Sequence, residues 1–181
     1  MKEALARISK AIHYLNERVG RAVSWLTTAL MLLVVYDVVA RYFFSETQAW
    51  IMELEWHLFG LIFLFGAGYA FKHDKHVRVD LFYAKFSPKD KAWVNFTGGL
   101  LFLLPWAAVM GYTCYEFAVL SLKAGEGSPD PGGLPARYLI KFAMAAGMCL
   151  LFLQGLASII DSWLVLRGYP GAQPEEALKR D

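Results

Sequence analysis

The chain has 181 residues, 57% of them hydrophobic and 19% charged, with a formal net charge of +2. That balance excludes an ordinary soluble domain, and so slight a charge gives no footing for nucleic-acid binding. The two cysteines, Cys114 and Cys149, fall in separate apolar runs without a C-x-x-C, so a disulfide framework is excluded and both read as packed apolar thiols.

Residues 3–19 set Leu5, Ile8, Ile12, Leu15 and Val19 at three- and four-residue steps, with Lys2, Arg7, Lys10 and Arg18 largely on other faces. This predicts an amphipathic helix over 1–21 lying on the membrane surface; the plainer alternative is a cytoplasmic extension of the first spanning helix. The first span is expected over about 22–44 and the second over about 50–71, joined by so short a link that the two must be antiparallel neighbours. The first run is too long for a signal h-region and has no small-residue cleavage site beyond it, so it should stay in the mature protein. Ser87 is the expected N-cap of the third span, with Pro88 at the first helical position; its membrane part covers about 93–120, and Pro105 should bend it. The stretch Lys123 to Pro135 holds Gly125, Gly127, Pro129, Pro131, Gly132 and Gly133 and reads as a loop. A fourth span over about 138–164 and a short charged tail over 165–181 complete one all-α transmembrane domain of four helices.

Lys and Arg sort the loops. Fourteen of the eighteen lie in the amino-terminal segment, the loop after the second span and the tail, which places both termini and the middle loop in the cytoplasm.

Charges inside spans cost about 2.5 to 3.5 kcal/mol each on insertion scales, so they are functional suspects by default. Asp37 and Arg41 in the first span, Glu53, Glu55 and His57 in the second, Glu116 in the third and Lys141 in the fourth fall near one depth, toward the outer surface. Asp37 and Arg41 are four apart, as are Glu53 and His57, so each helix can partly neutralise its own charge. The expectation is that Lys141 or Arg41 pairs with Glu53 or Glu55, locking the helices or docking a partner; the plainer reading is that these groups snorkel to the outer interface. A membrane haem needs two facing imidazoles, and only His57 lies at membrane depth, because His13, His73 and His76 fall in cytoplasmic segments. No nucleotide-binding, metalloprotease or serine-hydrolase motif is present, and nothing calls for a metal or cofactor.

The most patterned stretch is Glu53 to Leu81, ELEWHLFGLIFLFGAGYAFKHDKHVRVDL. Gly60, Gly66, Ala67, Gly68 and Ala70 give the second span close-approach surfaces, and His76, Arg78 and Asp80 alternate with two valines at the cytoplasmic surface. This segment resembles the small membrane subunit (DctQ-like) of tripartite ATP-independent periplasmic (TRAP) transporters, with its acidic opening to span two, its small-residue helix and its closing His-Val-Arg-Val-Asp. The four spans and the Gly132–Pro135 GGLP followed by Lys141 fit the same family. The resemblance implies a heterodimer with a large membrane subunit in a bacterial or archaeal inner membrane, a periplasmic solute-binding protein that delivers an organic acid, and uptake driven by sodium. It implies a bracing role for this chain, with the transport sites elsewhere. On the residues themselves, Glu53, Glu55, Arg41 and Lys141 are expected in outer-layer pairing, and His76, Arg78 and Asp80 in the cytoplasmic turn or at the large subunit. Two rivals stand: a self-sufficient transporter carrying a proton on Glu53 or Asp37, and a haem-anchoring subunit of a respiratory enzyme.

Overall fold

A computed structural model describes residues 1–45, 48–73, 83 and 85–169. Helix α1 (Lys2–Phe44) is followed by α2 (Ala49–Lys72), α3 (Pro88–Gly98), a π-helical turn (Gly99–Leu103), α4 (Leu104–Lys123) and α5 (Tyr138–Leu166). The third span is α3, the π turn and α4 in continuous succession, so four stretches among the described residues are long and apolar enough to cross a membrane.

Local chemistry sets the ends. Ser45 adopts a left-handed conformation and closes α1 with its N–H on the Ala40 carbonyl. Ser87 caps α3 as its sequence suggests, its hydroxyl accepting from the Asp90 N–H with Pro88 behind it. Pro105 has no N–H to donate and its ring crowds the carbonyl four residues back. The helix absorbs this with the π turn just before it, where the Leu104 N–H reaches Gly99 O. The π turn lies one turn ahead of Pro105, the position at which a bend is expected.

The segment expected as a surface helix and the first span are continuous. α1 runs through Arg21 as one helix of 43 residues. Its first half buries Ser9, Asn16 and Gly20, while Ile8 and Leu15 stay exposed.

α5 is the hub, packing on α1, α2, α3 and α4, and α1 packs along α2. Of the apolar window of α5, 39% is buried, against 6% in each of the other three spans, so α5 is the inner helix and the others present most of their apolar surface outward. Small residues make the contacts: a Cβ on Gly147 would lie 2.9 Å from Leu64 Cβ, and one on Gly155 would meet Leu103 at 2.9 Å. In α2, Gly68 lies against Asn16 as a close-approach residue should, but Gly66 has nothing within 4 Å. Cys114 is buried and Cys149 exposed, so the second thiol is not the packed core group the sequence suggested; an apolar span puts a cysteine on an outward face as readily as inward.

Candidate functional site

One end of the bundle is made by the α1–α2 turn and the loop between α4 and α5. The loop is held first by its own backbone: Arg137 N–H donates to Glu126 O at 2.9 Å and Ser128 N–H to Leu134 O at 3.1 Å. Gly125 and Gly132, at φ 59° and 76°, supply left-handed turns that a side chain would strain. Side chains from α2, α4 and α5 then tie it down.

Glu53 of α2 is the central tie. Its carboxylate is buried and accepts from the Ser128 hydroxyl at 2.5 Å, the Leu134 N–H at 2.5 Å and, more loosely, the Arg137 guanidinium at 3.4 Å. The Arg137 guanidinium also lies over the Trp56 ring, 5.8 Å from its centroid. A second tie joins the loop to α4 and α5: Glu126 is ion-paired to Lys141 and accepts from the Ser121 hydroxyl at 2.6 Å. Lys141 Nζ is also 3.8 Å from the centroid of Phe117. The Lys141 ammonium, and after it the Ser121 hydroxyl, hold the Glu126 carboxyl below the usual carboxylate range.

The geometry revises the expected pairing. Arg41 is paired with Asp37 on its own helix, and Lys141 with Glu126 of the loop, so neither reaches Glu53 or Glu55. The four-residue spacing of Asp37 and Arg41 leads to that local pair as expected. His57 makes no hydrogen bond to Glu53's carboxylate: its Nδ1 bonds the Glu53 backbone carbonyl at 2.5 Å, and its ring lies 3.8 Å from that of Trp56. Glu55 makes no hydrogen bond or ion pair among the described residues, and its Oε1 is buried without a partner. His76, Arg78 and Asp80 lie outside the described residues.

A second polar cluster, at the end of the bundle where α1 begins and α5 ends, escaped the sequence reading. Asp161 of α5 accepts from the Ser9 hydroxyl at 2.5 Å and lies 2.7 Å from His13 Nε2, while Gln154 approaches His13 Nδ1 at 3.0 Å. Beside it Glu17 accepts from Lys72 at 2.7 Å and lies 2.8 Å from His73, joining α1 to the end of α2. Ser9, His13, Asn16 and Gly20 step by four, three and four residues, a helical stripe that the apolar stripe beside it overshadowed. Glu17 precedes the apolar stretch of α1, and hydrogen bonds from Lys72 and then His73 draw its pKa down from 4.5 to about 2. A carboxyl depressed on folding stabilises above its ordinary pKa, and that contribution is lost as pH falls toward the folded value. Thermal unfolding of the solubilised chain should therefore lose stability between pH 4.5 and about 2, and Glu17→Gln should flatten that part of the profile.

Residues 30–165 match the family described as "Tripartite ATP-independent periplasmic transporters, DctQ component". The chain belongs to the DctQ family. The match takes in the last part of the first apolar stretch, nearly all of the other three and the whole tied loop, leaving out the part of α1 that carries Ser9, His13 and Asn16. No curated protein matches the chain. DctQ membership makes it a small, multi-pass membrane component of a TRAP transporter, and a transporter component rather than an enzyme.

Proposed function

We propose that this DctQ chain braces the large membrane subunit of a sodium-driven TRAP transporter for organic acids, and that its tied loop helps dock the periplasmic solute-binding protein. In this reading both termini are cytoplasmic, the membrane is the inner membrane of a bacterium or archaeon, and the loop over residues 124–137 faces the periplasm. One observation carries the bracing role: three of the four spans bury only 6% of their apolar windows within the chain, so most of their surface is left for lipid and a companion subunit. Hydrocarbon gives helices no hydrophobic drive to associate, so a partner must be held by close packing and by polar groups. The loop supports the docking role because its fold is fixed by the bonds to Glu53 and Glu126 before a partner arrives, which lowers the ordering cost of association.

Co-production of the tagged chain with its large subunit tests the assignment. Affinity purification in mild detergent should recover the two membrane proteins together, and the chain alone in sealed vesicles should take up no organic acid under a sodium gradient. Recovery of the chain by itself, or uptake by vesicles that contain nothing else, would overturn the bracing role.

A further inference from the structure

Three of the acids at the loop end are ion-paired among the described residues. Asp37 is matched by Arg41, Glu53 by Arg137 and Glu126 by Lys141. Glu55 has no such match. The charges it senses across the α1–α2 contact are Asp37 and Arg41. Arg41 is already committed to Asp37 Oδ2, and Asp37 Oδ1 is itself buried without a partner. On its own helix the neighbouring polar groups are also engaged, Glu53 by the loop and His57 by the Glu53 carbonyl. Arg137 and Lys141 of α5 are held by Glu53 and Glu126. Among the described residues, Asp37 and Glu55 thus each keep one buried carboxylate oxygen without a hydrogen-bond partner.

The surroundings show where a donor can come from. Val38, Val39 and Tyr42 of α1 and Met52, Trp56 and Phe59 of α2 are all exposed, so both helices present apolar side chains near the level of Glu55. An acid among exposed apolar side chains fits an interface whose other side brings a complementary charge. Glu116 on α4 is also without a partner among the described residues, yet it stands exposed.

We propose that this face of α1 and α2 is the docking surface for the large membrane subunit, and that a lysine or arginine side chain of that subunit pairs with the half-buried Glu55 carboxylate. The inference rests on the subunit role proposed above and adds the face and the chemistry of the contact. Glu53, which the loop saturates, is then a structural anchor, and Glu55 two residues on is the partner-facing acid.

The experiment is co-purification of the intact large subunit with wild-type, Glu55→Gln, Glu55→Lys and Glu116→Gln chains, each tagged and produced at matched levels. Glu55→Gln and Glu55→Lys should each recover at least about tenfold less large subunit, because each leaves the partner's cation unpaired. Glu116→Gln should recover as much as wild type. The thermal transition of the isolated subunit should be the same for Glu55→Gln as for wild type, which separates a lost contact from a misfolded chain. An acidic replacement of the matching basic residue in the large subunit should restore recovery with Glu55→Lys. Full recovery with Glu55→Gln would overturn the proposal, since it would mean that a neutral side chain, and so a proton rather than a base, completes the site. Equal recovery with Glu55→Lys would overturn it as well. If the wild-type chain itself recovers no large subunit, the subunit role fails first and this contact with it.

Discussion

Replacing Gly147 with leucine should pry α5 from α2 and destabilise the chain by about 2–3 kcal/mol, the usual range for forcing bulk into a packed contact. The reason is geometric. A Cβ built on Gly147 would sit 2.9 Å from Leu64 Cβ, 3.0 Å from the Leu64 carbonyl oxygen and 3.2 Å from its carbon. Two of those three atoms are backbone, so no rotamer change can clear the space and one helix must move. α5 is the hub, and moving it disturbs its contacts with α1 and α4 too. Gly66→Leu is the matched control: nothing lies within 4 Å of its Cβ position, and the change should stay within about 0.5 kcal/mol. Equilibrium unfolding of the solubilised protein in mixed detergent micelles measures both. Equal stabilities for the two variants would mean that the α2–α5 contact is looser than the structure has it.

Much of the fold was legible because a membrane span is a blunt signal. Length, apolar content and the glycine- and proline-rich breaks place four helices, and the ends at Phe44 and Tyr138 and the cap at Ser87 follow from local chemistry alone. Legibility failed where the choice of neighbour mattered. Lys141 and Arg41 are free to pair with any acid at their level. What decides is the path of the α4–α5 loop, which brings Glu126 to Lys141 and Ser128 and Leu134 to Glu53, and no periodicity encodes that path. The inward polar face of the first half of α1 was illegible for a different reason. In water the apolar stripe of Leu5, Ile8, Ile12, Leu15 and Val19 would be the packing face. Beside a membrane helix the gain lies in polar contacts and close approach, so Ser9, Asn16 and Gly20 turn inward and Ile8 and Leu15 outward. The same stripe is consistent with contact to lipid, which leaves the proposed surface location of this segment to be tested by its accessibility to lipid-borne quenchers. In α2, the run of small residues shows which helix can be approached closely but not where, and so Gly68 has a neighbour and Gly66 none.

Glu53→Ala should release the loop while leaving the helices in place. Three donors converge on this one carboxylate, from Ser128, Leu134 and Arg137, and alanine strands them all. The backbone bonds inside the loop remain, so the loop should keep its turns and lose its seat on α2. Limited proteolysis between residues 124 and 136 should then run about tenfold faster than in the wild type, because cleavage follows the population of locally opened chain. Glu53→Gln should fall between the two. The amide oxygen still accepts from the Leu134 N–H, and the Ser128 hydroxyl can turn to accept from the amide nitrogen, so only the longer Arg137 bond is forfeited. That ordering separates an anchor from a proton carrier. A carrier would lose transport completely in the glutamine variant, with the loop no more open than in the wild type, whereas an anchor loses function only in step with loop opening. Measured side by side in the assembled transporter, uptake and cleavage rate should move together across wild type, Glu53→Gln and Glu53→Ala. A glutamine variant that is closed yet inactive would return Glu53 to the role of a titrating group.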